Sequence, residues 1–337
     1  MSACSRAGHV EDRGEVPMSK RRETESPRHI VVVGAGQIGT PLVEQLAADG
    51  HRVTWCSRTK PASMPMGVEH RSVDARDGEA LAEIARGAHA MIAAVNPATY
   101  DANVWAETLP PLHRGLIEGA SRAGVRLVLL DALYLYTLRE GPLSPDTRHA
   151  AETEKGKIRM QIADLYTAAQ RGGILRAVIF RASDFWGPDL KSALLTRDGL
   201  RGLKNGKRPM LIGDPDAPHA FTHRDDVVNG LIKLAFAGDD VEGRVFHAPV
   251  IHVSQRELVQ AVAHAMHVAV RPIVAKRWLL RVAGLFSRSV GGIVEMLPQW
   301  EQPYLVDDSS YTGRFGTRAI TLQEGVAQLA KLTPALS

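Results

Sequence analysis

Short apolar runs alternate with segments of helical periodicity over the first half of the chain. The helical segments carry apolar residues three and four positions apart, as at Ile38, Leu42 and Leu46. Strands that are apolar throughout are buried on both faces, and a strand–helix alternation of this kind is typical of a parallel sheet covered by helices. The sequence therefore predicts a doubly wound α/β Rossmann-type domain over residues 29–180, with strands at 30–33, 52–56, 68–73, 90–95, 126–131 and 175–180.

The pattern changes after residue 180, where elements become shorter and prolines more frequent. Ser254 with Glu257, and Thr321 with Glu324, have the spacing of capping boxes at helix starts. We predict a smaller mixed substrate-binding lobe over residues 181–337. Residues 1–28 are polar and lack the apolar stretch of a signal peptide, so they predict a disordered leader, in which Met18 is an alternative start.

A glycine-rich turn follows the first strand. Gly34, Gly36 and Gly39 have the G-x-G-x-x-G spacing, with Gln37 and Ile38 between the last two glycines. The first glycine permits a tight turn, the second lets the backbone approach a pyrophosphate, and the third allows close helix packing. The strand, turn, helix and strand order predicts a dinucleotide site.

The end of the second strand indicates which dinucleotide binds. An acidic residue there would select NAD by bonding the adenosine ribose, but the sequence has Ser57 and Arg58. An arginine pairs well with a 2′-phosphate, so NADP is the predicted cofactor and NAD the alternative.

Composition and charge limit the other classes of function. The 337 residues carry 41 Lys and Arg against 37 Asp and Glu, so a nucleic-acid partner is not expected. Cys4 and Cys56 give no disulfide framework, and no apolar run reaches the length of a membrane span. We therefore predict a cytoplasmic protein with no membrane contact, a small-molecule substrate and, if it associates, a homodimer.

Four further segments resemble one family. They are VDARD at 73–77, LVLLDALYLYT at 127–137, RASDFWGP at 181–188 and HAFTHRDDV at 219–227. Together with the glycines, they make the chain similar to the extended or atypical short-chain dehydrogenase/reductases, near the NAD-dependent epimerase/dehydratase group. The resemblance implies that Asp74 contacts adenine.

The resemblance fails at the catalytic residues. The family's Y-x-x-x-K pair matches Thr153 to Lys157, so the lysine that would hold the nicotinamide ribose is present and the tyrosine is not. The family's serine falls on Asp131-Ala132. A threonine hydroxyl is far too weak an acid to replace a phenol. If residues 130–136 stay extended, Tyr134 lies on the catalytic side and is our candidate acid; the alternatives are that Tyr134 only shapes the pocket or that Tyr136 is a packing residue.

Other candidates lie where the strands end. Asn96 follows the fourth strand, at the edge where a cofactor crosses such a sheet. Tyr100 and Trp105, in a predicted loop, and Trp186 are candidate substrate contacts. His219 and His223 are the nearest approach to a metal-binding pair, which is too few ligands, so no metal is predicted.

These features predict an NADP-dependent oxidoreductase acting on a carbonyl or alcohol of a small organic molecule. Two alternatives stay open. One is a nucleotide-sugar epimerase or dehydratase that retains its cofactor and needs a pyrophosphate clamp, for which Lys191, Arg197, Arg201 and Arg208 are available. The other is a non-catalytic NADP(H) sensor, which the missing tyrosine and serine would suit.

Overall fold

A computed structural model describes residues 26–138, 141–191 and 193–332. Residues 1–25 of the predicted leader, which include Met1, Cys4 and Met18, lie outside the described residues.

A seven-stranded parallel sheet forms the centre of the molecule. Its order is β3-β2-β1-β4-β5-β6-β10, and every neighbouring pair is parallel. The strands are β1 (His29–Val33), β2 (Arg52–Ser57), β3 (Glu69–Ser72), β4 (Ala90–Ala93), β5 (Arg126–Ala132), β6 (Ala177–Ala182), β7 (Asp184–Trp186), β8 (Met210–Ile212), β9 (His219–His223), β10 (Val245–His247), β11 (Ile251–Val253) and β12 (Ile273–Ala275).

Helices cover the sheet and build a second lobe. They are α1 (Gly39–Ala48), α2 (Gly78–Ala85), α3 (Ala102–Ala123), α4 (Glu154–Arg171), α5 (Arg197–Lys204), α6 (Arg224–Phe236), α7 (Gln255–Ala265), α8 (Arg277–Phe286), α9 (Arg288–Met296), α10 (Ser309–Phe315) and α11 (Leu322–Leu332), with short 3-10 helices at Asp239–Val241 and Leu297–Trp300.

The two faces of β1 show how the sheet is buried. Ile30 and Val32 pack in one core with residues of α1 and α6, whereas Val31 and Val33 pack in a second core with residues of α2, α3 and α4. Successive side chains of a strand point to opposite faces, so a strand covered on both sides is apolar throughout. This arrangement confirms the predicted Rossmann-type fold.

The chain returns to the central sheet after it has left it. Two small sheets, β11-β9-β7 and β12-β8, belong to the second lobe. Between β9 and β11 in the sequence, α6 packs on the central sheet and β10 pairs with β6 in parallel. The lobe predicted over residues 181–337 therefore contributes two elements to the dinucleotide-binding layer.

Helix α3 begins at Ala102 and includes Trp105, which was predicted to lie in a loop. Asp101 caps it by accepting a hydrogen bond from the Asn103 amide at 2.9 Å, and Pro110 and Pro111 lie inside the helix. Prolines disfavour a helix interior. Here the helix buries Trp105 against the second core, and this packing outweighs the unfavourable prolines.

Candidate active site

The glycine turn after β1 has the geometry that its three glycines require. Gly34 has a φ of +119°, and a Cβ at this position would collide with the Ala94 carbonyl. A Cβ on Gly39 would collide with the Gly34 carbonyl. Gly36 is exposed, with no heavy atom within 4 Å of a Cβ position. Two glycines are therefore needed for packing, and the third leaves the backbone open to a ligand.

The amino end of α1 fits a pyrophosphate. Its N-cap is Ile38, so no side chain accepts a hydrogen bond from the first-turn amides, and the first turn has no acidic residue. Such a terminus presents N–H groups and a partial positive charge to an anion. The Gln37 Oε1 accepts a hydrogen bond from the Lys191 amide at 2.9 Å, which joins the turn to the second lobe.

The ends of β2 and β3 bring together the residues predicted to meet the adenosine. The Ser57 hydroxyl donates to the Thr59 carbonyl at 2.8 Å. The Asp74 carboxylate accepts two hydrogen bonds from the Arg76 guanidinium, at 2.6 and 3.0 Å, and these bonds lower the pKa of Asp74, with Arg58 adding a smaller effect. The Arg58 guanidinium is exposed and forms no hydrogen bond or ion pair with the described part of the chain.

A cavity of about 210 Å³ lies beyond the carboxyl end of β5. Its wall combines apolar side chains, aromatic hydroxyls and two carboxylates, and contains no lysine or arginine among the described residues. The lining residues are Leu133, Tyr134, Tyr136, Thr137, Leu138, Ala151, Glu152, Thr153, Glu295, Met296, Pro298, Gln299 and Tyr304.

Tyr134 lines this cavity, but its backbone conformation differs from the predicted one. Strand β5 ends at Ala132, and Tyr134 lies in a turn rather than in an extended segment. The turn allows Leu133, Leu135 and Tyr136 all to pack into one core, which an extended strand would not permit because its side chains alternate. The assumption of an extended segment was wrong, yet Tyr134 lines the cavity.

Tyr100, the residue just before the Asp101 cap, packs against Tyr134. The rings meet edge to face with centroids 6.3 Å apart. Burial raises the pKa of both phenols. Tyr134 is therefore protonated near neutral pH and has a proton that it can donate to a group in the cavity.

Helix α4 does not bring Lys157 to this cavity. Thr153 is the N-cap of α4, where its hydroxyl accepts a hydrogen bond from the Gly156 amide at 3.1 Å. The Lys157 side chain is 53% exposed and pairs with Glu154 at 2.7 Å. Lys157 is exposed whereas Ile158 and Ile162 of the same helix are buried, and its role in holding the nicotinamide ribose stays a prediction.

Two cations missed in the sequence occupy the inward face of α4 instead. Lys155 and Arg159 are four residues apart and are both buried. The Arg159 Nη2 donates to Asn96 Oδ1 at 2.7 Å, and its Nη1 donates to Asp131 Oδ1 at 3.0 Å. The sequence could have predicted their burial, because Lys155 and Arg159 lie within the same arc of the helix as the apolar residues Ile158 and Ile162.

Lys155 is fully buried beneath α9. Its Nζ lies 2.5 Å from Glu295 Oε2 and 3.2 Å from the Gly292 carbonyl. The ammonium also lies 4.5 Å from the centroid of the Tyr100 ring, which is a cation–π contact. This ion pair fixes α9 over Tyr100 and places Glu295 in the cavity wall; no local pattern predicts it, because the partners are 140 residues apart.

Asp131 anchors a buried polar network behind the cavity. Burial by itself would raise the pKa of Asp131, but Arg159 and Arg181 outweigh burial and hold it below its usual range. The Arg181 Nη1 donates to the Tyr136 hydroxyl at 2.6 Å, and that hydroxyl lies 2.9 Å from His247 Nε2. Asp131, at the position of the family's serine, is therefore an anchor for two arginines.

Two predicted substrate contacts lie in cores. Trp105 is in α3 rather than in a loop, and its indole N–H donates to the Thr99 carbonyl at 2.8 Å. Trp186 packs in the core of the second lobe and meets the His223 ring edge to face. Neither indole lines the cavity, because both are buried among apolar side chains. Tyr100 and Trp105 both contact the ring of Tyr134 in the cavity wall, with centroid distances of 6.3 and 6.1 Å.

The predicted pyrophosphate clamp does not converge on the cavity. Arg197 pairs with Asp189, Arg201 pairs with Asp198, and Arg208 donates to the Arg271 carbonyl. None of the three lines the cavity, and neither does Lys191.

His219 and His223 have structural partners. His219 Nε2 lies 2.8 Å from Asp184 Oδ2, and His223 caps α6. Within residues 26–332, as far as they are described, no three His, Cys, Asp or Glu side chains are grouped to hold a metal ion. None of the described helices is both long and apolar enough to cross a bilayer.

The open glycine turn, the uncapped α1 and the crossover sheet define a dinucleotide-binding protein of the Rossmann class. Residues 34–170 match the model of a family described as NAD(P)H-binding. No curated protein matches the sequence.

Several solved structures are similar over most of this chain. The dTDP-glucose 4,6-dehydratase of Streptomyces venezuelae, solved with NAD bound, has a TM-score of 0.73 and 20% identity, over 91% of this chain and 97% of that chain. The UDP-glucuronic acid 4-epimerase of Bacillus cereus, in complex with NAD, has a TM-score of 0.74 and 14% identity, over 91% and 99%. The Bordetella bronchiseptica enzyme WbmH has a TM-score of 0.69 and 18% identity, over 90% and 97%. The chain has the fold of these proteins, and this fold is the one that the resemblance found in its motifs implies.

Proposed function

We propose that the protein is an NADP-dependent oxidoreductase that reduces a carbonyl group of a small, uncharged organic substrate. The observation that carries the proposal is the cavity beyond β5, which has the Tyr134 hydroxyl in its wall and no cation. It lies at the carboxyl edge of the sheet, as do the glycine turn after β1 and Asn96 after β4, where open α/β sheets bind ligands.

The size and charge of the cavity select the substrate class. A volume of about 210 Å³ is below the range of roughly 300–1,000 Å³ typical of drug-sized ligands. Glu295 is neutralised by its pair with Lys155, whereas Glu152 would repel a diphosphate, and the described lining residues include no lysine or arginine to attract one. These features favour a small neutral carbonyl compound over a nucleotide sugar.

The cofactor residues follow from the geometry of the turn and the strand ends. The amides around Gly36, Gln37 and Ile38 would hold the pyrophosphate at α1. The free guanidinium of Arg58 would meet a 2′-phosphate, with Ser57 beside it, and Asp74 stands next to the adenine position. Arg159, fixed by Asn96, is the buried cation at the nicotinamide end, in place of the exposed Lys157. When bound, NADPH supplies the hydride.

Tyr134 supplies the proton in this proposal. Its phenol is protonated near neutral pH, since an unperturbed phenol has a pKa of about 10 and burial raises the pKa of Tyr134 further, and the Tyr100 ring packs edge to face against it. A protonated phenol donates to an oxygen that gains negative charge, as the carbonyl oxygen does when hydride is added to the carbon.

Cofactor exchange and net turnover test the proposal together. We expect protein purified without added cofactor to bind NADPH reversibly and to consume it, with equal amounts of alcohol formed, from a panel of small aldehydes and ketones. A tightly retained oxidised cofactor with no net consumption would favour an epimerase. Reversible binding with no turnover across the panel would favour a sensor, and either result would contradict the proposal.

A further inference from the structure

Helix α8 presents an apolar stripe to the outside of the molecule. The large apolar residues follow the spacing i, i+1, i+4, i+7 and i+8, which covers about 120° of a helix surface. They are Trp278, Leu279, Val282, Leu285 and Phe286, with exposed fractions from 47% to 87%. Only Leu280 of this helix is buried. An exposed stripe of this size marks an interaction surface.

The segment of sequence that carries the stripe has basic residues and no acidic ones. Between Glu257 and Glu295 the sequence has no acidic residue and five basic ones. Arg277 pairs with Glu301, and Arg288 lies 3.8 Å from Asp101. Lys276 and Arg281, which precede and interrupt the stripe, have no ion-pair partner in the described part of the chain.

The apolar stripe and the basic residues beside it together indicate what kind of surface α8 binds. A second copy of the chain would bring like charges together across the contact, which disfavours self-association through this face. A lipid bilayer with anionic headgroups matches both features, since Lys and Arg approach the phosphates while Trp, Leu and Phe enter the interface. An exposed tryptophan at the head of the stripe is typical of the membrane–water boundary.

We propose that the α8 stripe, defined by the five residues from Trp278 to Phe286, binds the surface of a bilayer that contains anionic lipids. The helix then lies in the interface plane, which requires no membrane-spanning segment. This proposal revises the sequence-based expectation of no membrane contact, and it is independent of the reaction that the cavity performs.

Sedimentation with vesicles tests the proposal on the full-length protein. We expect the protein to pellet with vesicles of phosphatidylcholine and phosphatidylglycerol in equal parts, and to stay in solution with pure phosphatidylcholine. Its tryptophan fluorescence should shift to shorter wavelength with the first vesicles, because Trp278 is the most exposed tryptophan described.

Two double variants separate the apolar and charge contributions. One variant, Leu285→Ser/Phe286→Ser, removes apolar side chains from the stripe, and the other, Lys276→Glu/Arg281→Glu, reverses two charges beside it. Each variant should weaken vesicle binding at least about tenfold. For the second variant the reason is that each basic residue near an anionic surface contributes about fivefold. Met66→Ser is the matched control, since Met66 is an exposed apolar residue between β2 and β3. All variants alter exposed side chains, so an unchanged melting temperature verifies their fold.

Three results would overturn the proposal. The first is wild-type protein that does not bind the anionic vesicles. The second is a Met66→Ser variant that loses binding as strongly as the stripe variants. The third is a wild-type dimer in sedimentation velocity that the Leu285→Ser/Phe286→Ser variant converts to monomer, which would assign the stripe to a second copy of the chain.

Discussion

The Lys155–Glu295 pair joins a fully buried ammonium to α9, so breaking it should destabilise the fold. Replacing Glu295 by Gln keeps the shape of the side chain and leaves the ammonium of Lys155 buried without its counter-charge. Removing one partner of a buried pair costs about 3–5 kcal/mol. Glu295 is 20% exposed, and Lys155 keeps the Gly292 carbonyl and the Tyr100 ring, so we expect a loss of about 2–3 kcal/mol.

Thermal unfolding followed by circular dichroism measures this loss. For a chain of this size, about 2 °C is expected per kcal/mol, so the melting temperature of Glu295→Gln should fall by roughly 5 °C. Glu154→Gln is the matched control on the same surface of the fold, because it breaks the exposed pair with Lys157 and should leave the melting temperature unchanged. The added substitution Lys155→Met should restore part of the stability of Glu295→Gln, since no buried charge then lacks a partner. Equal melting temperatures for Glu295→Gln and Glu154→Gln would refute the reasoning.

Three further predictions concern the cofactor and pH. Arg58→Ala should weaken NADP binding by about 10- to 100-fold, because a charge-assisted contact contributes about 1.5–3 kcal/mol, and should leave NAD binding unchanged. Calorimetric titration measures both affinities, and equal losses for both cofactors would show that Arg58 does not meet the 2′-phosphate. Gly39→Ala should lower the melting temperature because its Cβ collides with the Gly34 carbonyl, whereas Gly36→Ala should keep the melting temperature and lose cofactor affinity; the reverse pattern would contradict the assigned roles. Burial raises the pKa of Asp226 to about 6. Between pH 4 and 6 the folded state therefore keeps a proton that the unfolded chain releases. The free energy of unfolding consequently falls as pH rises from 4 to 6. In denaturant titrations Asp226→Asn should therefore be more stable than the wild type above pH 6 and lose that advantage toward pH 4; a gain independent of pH would point to packing instead.

The sequence was most informative where one short segment carries the whole signal. The strand, three glycines and helix from His29 to Ala48 contain both the apolar pattern and the turn chemistry, and the structure places them as predicted. Capping boxes are equally local: Ser254 and Glu257 form one, and Thr321 and Glu324 exchange the same two hydrogen bonds at the start of α11.

At α4 the motif match and the helical periodicity indicate different residues. Counting from Ile158 and Ile162, the inward positions are Lys155 and Arg159, and Lys157 lies on the opposite side. The Lys155–Glu295 pair was beyond prediction for another reason. Its partners come from distant segments, and only the folded chain shows that α9 covers α4.

The central claim is that the Tyr134 hydroxyl acts as the acid of an NADP-dependent reduction, and a comparison of two tyrosines tests it most directly. Tyr134 and Tyr304 both line the cavity, so the same Tyr→Phe change removes one hydroxyl from the same space. We expect Tyr134→Phe to reduce kcat for carbonyl reduction at least about 100-fold with NADPH affinity unchanged, and Tyr304→Phe to stay close to the wild type. Full activity of Tyr134→Phe, or a selective loss in Tyr304→Phe, would contradict the account.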